Sequence, residues 1–498
     1  MGETQTGVDA KGMTARNRRY WLWLGLALLS DLVYLGVCAW QTRKLGFPLD
    51  DAWIHQVYAR NLGTKGQLAF NVGEPSSGST APLWSGLLAV GYAVGIPPLV
   101  WAYMLATGSA LLTAVFAARL YVRYCDDPDG ALWVGAACLV EWHLAWAAVS
   151  GMEITLYTAL TLLFLDMLAR EAAPERLGLV TGLMGIVRPE GLLLGSLYGV
   201  HLLKQSGWRS TVRAVARFAL PLVAIVIPLG LFNWRYGGRP FPNTMAAKYG
   251  QWAWPWSPLK GLQYLGSVAA YFAMGPLLLL LPFAVQAVVR AVRARDRRLV
   301  ALAWMAMLIL VYAVIMPAIY HHGRYLMPLI PLVIVLGVGE LRHWRTTQWT
   351  AVRRTIPWLV GIMFTALWLN GATTYALQVR LLEEQHAAVG HWVNENTPAD
   401  AVVASHDIGL LGYWGKRRIV DLVGLVTPEA ISIMHDQQAL ADLCRRERVS
   451  YLVVFPSFHQ ELIAALGMQV VYEPPGTDAL YQRLHIDPLV VYGQKQEQ

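Results

Sequence analysis

The 498-residue chain reads as a polytopic α-helical membrane protein that ends in a small α/β domain. Three observations predict this. Only 14% of the residues are charged and 56% are hydrophobic, where a soluble protein of this length carries roughly a quarter charged residues. Long apolar runs recur between residues 20 and 378, and in hydrocarbon a helix satisfies its own backbone hydrogen bonds. From about residue 383 the pattern changes to short β-branched runs between polar segments, which suits strands and not spans.

The net charge of +8 does not point to nucleic acid, because the basic residues sit in short clusters between apolar runs, as membrane topology requires. The four cysteines, Cys38, Cys125, Cys138 and Cys444, are scattered and imply no disulfide framework.

The elements follow in order. Residues 1–19 form a polar tail ending in Arg16, Arg18 and Arg19; the run 20–40 is long enough to span and is not a cleavable signal peptide. Those arginines place the N-terminus in the cytoplasm and residues 41–80 outside. Further cytoplasmic loops are marked by Arg119 and Arg123, by Lys204 to Arg217, by Arg290 to Arg298, and by Arg342 to Arg354. Parity between these points makes 82–95 an interfacial helix and 98–118 a crossing. Helices 131–150 and 152–169 come next, and 177–203 is two short segments broken at Arg188-Pro189-Glu190-Gly191. Helices 216–234, 264–289, 299–319, 325–341 and 356–378 complete a count of about eleven crossings. The domains are then the tail 1–19, a transmembrane domain 20–380 with outer loop 41–80, and an extracytoplasmic domain 381–498. In that last domain "AVVAS" (401–405), "RIVDLVG" (418–424), "SYLVVF" (450–455) and "MQVVYE" (468–473) read as buried strands. Residues 436–448 read as a helix between two of them, with parallel pairing.

The unusual polar pieces all fall on the outer side. The cytoplasmic loops are short and basic and carry no phosphate-cradling glycine loop, so any chemistry belongs outside, where nucleotide sugars and ATP are absent. The stretch "KLGFPLDDAWIHQVYARN" (44–61) places Asp50 and Asp51 there. As structural residues, Asp50 caps a helix over 51–62 and Asp51 lies in its first turn. As functional residues they form a catalytic or metal-binding pair, and the two readings are compatible. Glu153 suits a helix start or an acceptor contact. Arg188 and Glu190 interrupt an apolar run, where charges are paired or functional; Arg188 suits a phosphate through its bidentate fork. Arg239, Asn243, Lys248 and Tyr249 are ordinary loop residues, or Lys248 meets a donor phosphate. His321, His322 and Arg324 snorkel at the interface, or Arg324 neutralises a lipid phosphate. His406-Asp407 reads as a turn, and Lys416 to Arg418 as a solvated face or an anion contact. The many Trp and Tyr read mostly as membrane-belt residues, with stacking on sugars as the alternative for Trp53, Trp84 and Trp252 of the outer loops.

Several of these segments, in order, resemble a known family. They are "LDDAWIHQVYARNL…GQLAFNVGEPSSGSTAPLW", "SGMEITLYTALTLLFL" (150–165), "GIVRPEGLLL" (185–194), "GGRPFPNTMAAKYG" (237–250), "GRYLMPLIPL" (323–332) and "HDIGLLGYWGKRRIVDLVGLV" (406–426). The chain resembles the GT-C superfamily of integral membrane glycosyltransferases, in its bacterial arabinofuranosyltransferase-like and mannosyltransferase-like branch. The resemblance implies a GT-C fold and an enzyme of a prokaryotic plasma membrane. It implies a polyprenyl-phosphate-linked sugar as donor and a glycan, lipid or protein as acceptor, with an outer active site. Asp50 or Asp51 would be the catalytic base, Asp50 being slightly favoured, and a divalent metal is possible on the same pair. Arg188, Lys248 and Arg324 would bind the donor phosphate. Glu153, Glu190, His55, Asn243, Tyr249 and His322 would contact the acceptor or support the site. The rival expectations are a lipid or solute transporter, which would need inverted repeats, and a non-catalytic membrane scaffold.

Overall fold

The structure, a computed structural model, describes residues 3–203, 207–253, 255–273, 275, 277–344, 350–475 and 487–494. Helix α1 (Glu3–Thr42) carries the first apolar run, and α2 (Asp50–Lys65) fills the outer loop. Next come α3 (Pro82–Val94) and α4 (Pro98–Cys125), then α5 (Gly130–Val140) and α6 (Trp142–Val149), which meet at a 57° bend. Glu141 builds that bend: its carboxylate accepts the His143 and Leu144 amides and so starts α6 afresh. Helices α7 (Ile154–Ala169), α8 (Pro174–Val187), α9 (Gly191–Leu203) and α10 (Trp208–Gly237) follow. Proline opens α3, α4 and α8, where its fixed φ suits the first turn and its missing N–H costs nothing.

Short α11 (Asn243–Lys248) runs into a π-helical turn, and α12 (Pro258–Ala273), α13 (Leu277–Ala294), α14 (Leu299–Ile315), α15 (Ile330–Trp344) and α16 (Thr350–Leu382) complete the bundle. The expected single helix 264–289 is therefore two, α12 and α13, and Gly275 between them adopts a positive φ of 80°. Among the described residues six helices are long and apolar enough to cross a membrane, or seven with α5 and α6 taken as one bent span. Four shorter apolar helices, α3, α7, α9 and α14, stand beside them.

The C-terminal part holds α17 (Ala388–Asn396), α18 (Gly409–Trp414), α19 (Gln437–Arg446) and α20 (Gln460–Leu466). Its strands are β1 (Val402–Ser405), β2 (Arg418–Asp421), β3 (Tyr451–Val454), β4 (Gln469–Tyr472) and β5 (Val490–Gly493), in the order β2-β1-β3-β5-β4. β1 pairs in parallel with β2 and β3, as expected, while β5 runs antiparallel to β3 and β4. β5 was not read from the sequence. β4 was read as buried but is an exposed edge, with Val470 at 56% exposure.

The central strands are buried on both faces, which explains their nearly unbroken apolar sequence. Val403, Ile419 and Val453 point to one side, and Ala404, Val420 and Leu452 to the other. The second side packs on α19 and α20. The first side shares one apolar cluster with Ile54, Val57 and Tyr58 of α2. Helix α2 therefore lies between the bundle and the sheet, buried from Ala52 through Ala59.

Candidate active site

The first turn of α2 carries the two acids, and adjacent positions on a helix point about 100° apart. Asp50 points to the C-terminal domain, where its carboxylate accepts the amides of Gly409 at 2.6 Å and Leu410 at 2.7 Å. It thereby caps α18. The expectation that it caps its own helix is corrected: Leu49 holds that position, and no side chain caps α2. A Cβ on Gly409 would lie 2.0 Å from the Asp50 carbonyl oxygen, so the two helix starts are pressed together. Burial pushes the Asp50 carboxyl up to about 6, against the pull of His386 and the two amides.

Asp51 points into a cleft in the bundle. Arg324 donates to its Oδ2, and Lys248 Nζ stands 3.5 Å from the same oxygen. Burial opposes the charged form, but Arg324 and Lys248 outweigh it and hold the carboxyl well below the usual carboxylate range. Arg324 is 1% exposed, so it does not snorkel to an interface as one expectation had it. Its Nε and Nη1 have no hydrogen-bond partner among the described residues. The turn before it explains the aim: His321, His322 and Gly323 all have positive φ, 43°, 56° and 65°. Two non-glycine residues in that region store strain, and the turn directs Arg324 inward.

Arg188 comes from the break between α8 and α9. It donates to Glu190 at 2.5 Å, to Glu153 at 2.8 Å and to the Tyr312 hydroxyl at 3.2 Å. The paired reading of Arg188 and Glu190 thus holds, with Glu153 as a further partner. Glu153 stands at the N-cap position of α7, as a helix start requires, but its carboxylate makes no cap bond; it lies between Arg188 and His55, whose Nε2 is 3.4 Å away. One ring gathers the three cations: Arg188, Arg324 and Lys248 lie 4.6, 5.1 and 5.5 Å from the centre of Tyr325. Lys248 also donates to the Tyr325 hydroxyl at 2.7 Å. These ion pairs leave the cleft about 20 Å³ of free volume.

The structure brings Asp51, His55, Glu153, Arg188, Lys248 and Arg324 to the cleft lining. Glu190 stands behind Arg188. Asn243, Tyr249 and His322 do not line it. Asn243 is fully buried, and its amide N–H donates to the Ser77 carbonyl. His322 lies between the Trp142 and Trp146 rings beside Gln378. Two tryptophans assigned to sugar stacking are core residues: Trp53 packs on Phe47 and Tyr413, and Trp84 donates to the Gly151 carbonyl. Trp252 packs on Tyr320.

The donor set does not suit a divalent cation. Asp50 has both oxygens on backbone amides and Asp51 is held by two cations; among the described residues no three acids, histidines or cysteines are arranged to hold a metal.

The sequence reading missed Tyr325, Tyr312 and His386. Tyr325 follows Arg324 directly, but an aromatic residue at a helix entrance carries no local sign that three cations meet there. His386 Nε2 donates to Asp407 Oδ2 at 3.1 Å, and it reaches that place through a π-helical turn after α16. Asp407 does sit in a turn, held by Ser405 Oγ.

A helical membrane bundle with an acid–cation cleft at one end, covered there by a small α/β domain, defines a class: the chain is a polytopic membrane protein of GT-C fold. The particular likenesses are these. ArnT from Cupriavidus metallidurans bound to undecaprenyl phosphate matches with a TM-score of 0.58 at 16% identity, over 96% of this chain and 98% of that one. The Archaeoglobus fulgidus oligosaccharyltransferase in its apo form gives 0.57 at 10% identity, over 87% and 69%. The Archaeoglobus fulgidus oligosaccharyltransferase AglB in complex with an inhibitory peptide and a dolichol-phosphate gives 0.55 at 12% identity, over 90% and 71%. At these identities the likeness is one of fold. A family described as Domain of unknown function (DUF8728) matches residues 374–490. No curated protein matches the chain.

Proposed function

We propose that this protein is a membrane glycosyltransferase that moves a sugar from a polyprenyl-phosphate donor to a hydroxyl of an extracytoplasmic acceptor, with inversion at the anomeric carbon. The observation that carries the reading is Asp51 clamped by Arg324 and Lys248 in a cleft that also holds Arg188. The likeness to a protein whose structure holds undecaprenyl phosphate supports a polyprenyl phosphate as the lipid.

The chemistry follows from the charges. Among the described residues Arg324 has two buried donors without a hydrogen-bond partner, and with Lys248 it is suited to a lipid-borne phosphate; Arg188 stands beside them through Tyr325. With its two cations to itself, Asp51 is a weak base. A phosphate drawn to the same cations shares their charge, so the arriving donor makes Asp51 more basic. The acceptor oxygen then bonds to the anomeric carbon, and the carbon–oxygen bond to phosphate breaks with its electron pair on the polyprenyl phosphate. The hydroxyl proton passes to Asp51. Phosphate leaves well without a proton, so the second acid of hydrolytic enzymes is not needed. In this reading Asp51 is the base and Asp50 positions it, which reverses the slight preference for Asp50. Glu153 and Glu190 hold Arg188, and His55 holds Glu153. The cleft opens on the outer side of a prokaryotic plasma membrane, with the N-terminus in the cytoplasm.

The test is turnover of a panel of polyprenyl-phosphate sugars by purified protein, scored as release of polyprenyl phosphate. Asp51→Asn should lower kcat by about 10²- to 10⁴-fold while expression and insertion stay normal. A nucleotide sugar acting as direct donor overturns the proposal, as does wild-type turnover by Asp51→Asn.

A further inference from the structure

One group of charges takes no part in the cleft. Helix α2 is buried from Ala52 through Ala59 and then emerges from between the bundle and the sheet. Beyond that point its last turns, the 70–74 segment and the 412–418 segment enclose a second cavity of about 480 Å³, a volume typical of small-molecule sites. Arg60, Lys65, Lys416, Arg417 and Arg418 line it, with Glu74 as the one acid among the lining residues. Glu74 is already engaged: one carboxylate oxygen accepts from Arg418 at 2.7 Å and the other from the Asn71 side chain at 3.1 Å. Among the described residues no acid pairs with the other four cations. Two of the four are fixed in place without being neutralised. Arg60 donates to the carbonyls of Tyr413 at 2.8 Å and Gly412 at 3.2 Å, and lies over the Tyr413 ring. Arg417 donates to the carbonyls of Thr397 at 2.8 Å and Asn394 at 3.0 Å. Both are half-buried, while Lys65 and Lys416 are exposed. A carbonyl orients a guanidinium but leaves its full charge, and a cleft lined by one sign of charge focuses the field. A solvated basic face accounts for the two lysines, but not for two half-buried arginines without a counter-charge.

The surroundings select among anions. No lining residue comes from α3 or from a helix long and apolar enough to span, so no membrane-embedded wall leads a lipid headgroup into the cavity. The sheet edge beside it is closed to an added peptide strand. Asn71 accepts the Ile419 N–H at 2.9 Å and donates to the Ile419 carbonyl at 2.9 Å, and Thr427 Oγ1 accepts the Asp421 N–H at 3.0 Å. We propose that this cavity binds an acidic oligosaccharide, whose carboxylates or phosphates pair with Lys65 and Lys416 and lie in the field of Arg60 and Arg417. The site is separate from the cleft: along α2, Arg60 and Lys65 lie roughly 14 and 21 Å from Asp51 at 1.5 Å per residue. Binding there needs no sugar donor, so it stands or falls apart from the transferase reading.

The experiment measures binding to the full chain in neutral detergent by calorimetry. The acidic probes are an oligogalacturonate and a phosphorylated maltoheptaose, which separate carboxylate from phosphate as the preferred anion. Unmodified maltoheptaose, a short polyglutamate and a short-chain phosphatidylglycerol stand for a neutral glycan, an acidic peptide and a lipid headgroup. At least one acidic oligosaccharide should bind, with a Kd that rises tenfold or more between about 50 and 500 mM salt as the charges are screened. Maltoheptaose should not bind. Lys65→Ala combined with Lys416→Ala should weaken the acidic oligosaccharide at least tenfold; both side chains are exposed, so folding is spared. Lys65→Glu combined with Lys416→Glu should abolish binding. Arg446→Ala, which removes an exposed cation outside the cavity, should leave it unchanged. Binding of neither acidic oligosaccharide at low salt overturns the proposal, as does equal binding of maltoheptaose or wild-type affinity in the paired lysine variants. Polyglutamate or phosphatidylglycerol that binds more tightly than either glycan, and is lost in those variants, reassigns the cavity and overturns it too.

Discussion

Asp50 and Asp51 are neighbours with the same side chain, yet they have opposite environments. Asp50 loses water to a protein interface and gains only two amide donors; Asp51 loses water too but gains two full charges. The linkage signs follow. Burial raises the Asp50 carboxyl from 3.8 to about 6. A raised carboxyl adds stability below its unfolded value and gives it up as pH rises through the folded value, so Asp50 makes the folded protein less stable between pH 3.8 and 6. In Asp50→Asn that slope should vanish, and thermal unfolding in detergent should vary less across this window than in the wild type. A matching slope in both proteins would show that Asp50 does not titrate there. Asp51 works the other way: despite burial, Arg324 and Lys248 depress it, so its contribution is present above 3.8 and persists to well below that value.

The element that organises the site is α2. Its middle is buried on all sides because the bundle takes one face and the α/β sheet the other. This is why Trp53, placed on an outer loop by the sequence, is a core residue. The contact between α2 and α18 depends on a residue with no side chain. Gly409→Ala would set a methyl group 2.0 Å from a backbone oxygen, and backbone at that distance has to shift. The expected outcome is a loss of about 1–3 kcal/mol of stability, seen as a lower unfolding temperature and faster proteolysis after residue 383. Activity should fall with it, since the same contact holds the first turn of α2, which carries Asp51. Unchanged proteolysis and unchanged melting would separate α18 from the support of α2.

For the whole molecule, the proposed sidedness puts the cleft and the α/β domain outside and the basic loops inside. Single cysteines report this directly, in a background with the four native cysteines replaced. Lys416→Cys should react with a membrane-impermeant maleimide in intact spheroplasts, and Arg297→Cys should react only after lysis. The reverse pattern would invert the topology and place the cleft where nucleotide sugars are present. The proposed sidedness rests on the basic residues that cluster in the short connections, where positive charge is retained on the cytoplasmic side.

The sequence by itself determined the membrane bundle, the α/β appendage and the set of charged residues from which the cleft is made. Each of these depends on local composition: an apolar run of span length must be helical in lipid, and short β-branched runs must pair. Only the tertiary structure decided which of those charges meet. Asp51 and Arg324 are 273 positions apart, and Asp50 and Gly409 are 359 apart. No local pattern encodes a contact at that separation; it is set by how α2 is packed between the bundle and the sheet. The same packing turned the expected helix cap of Asp50 toward another domain, excluded His322 and Asn243 from the cleft, and delivered Tyr325 to it.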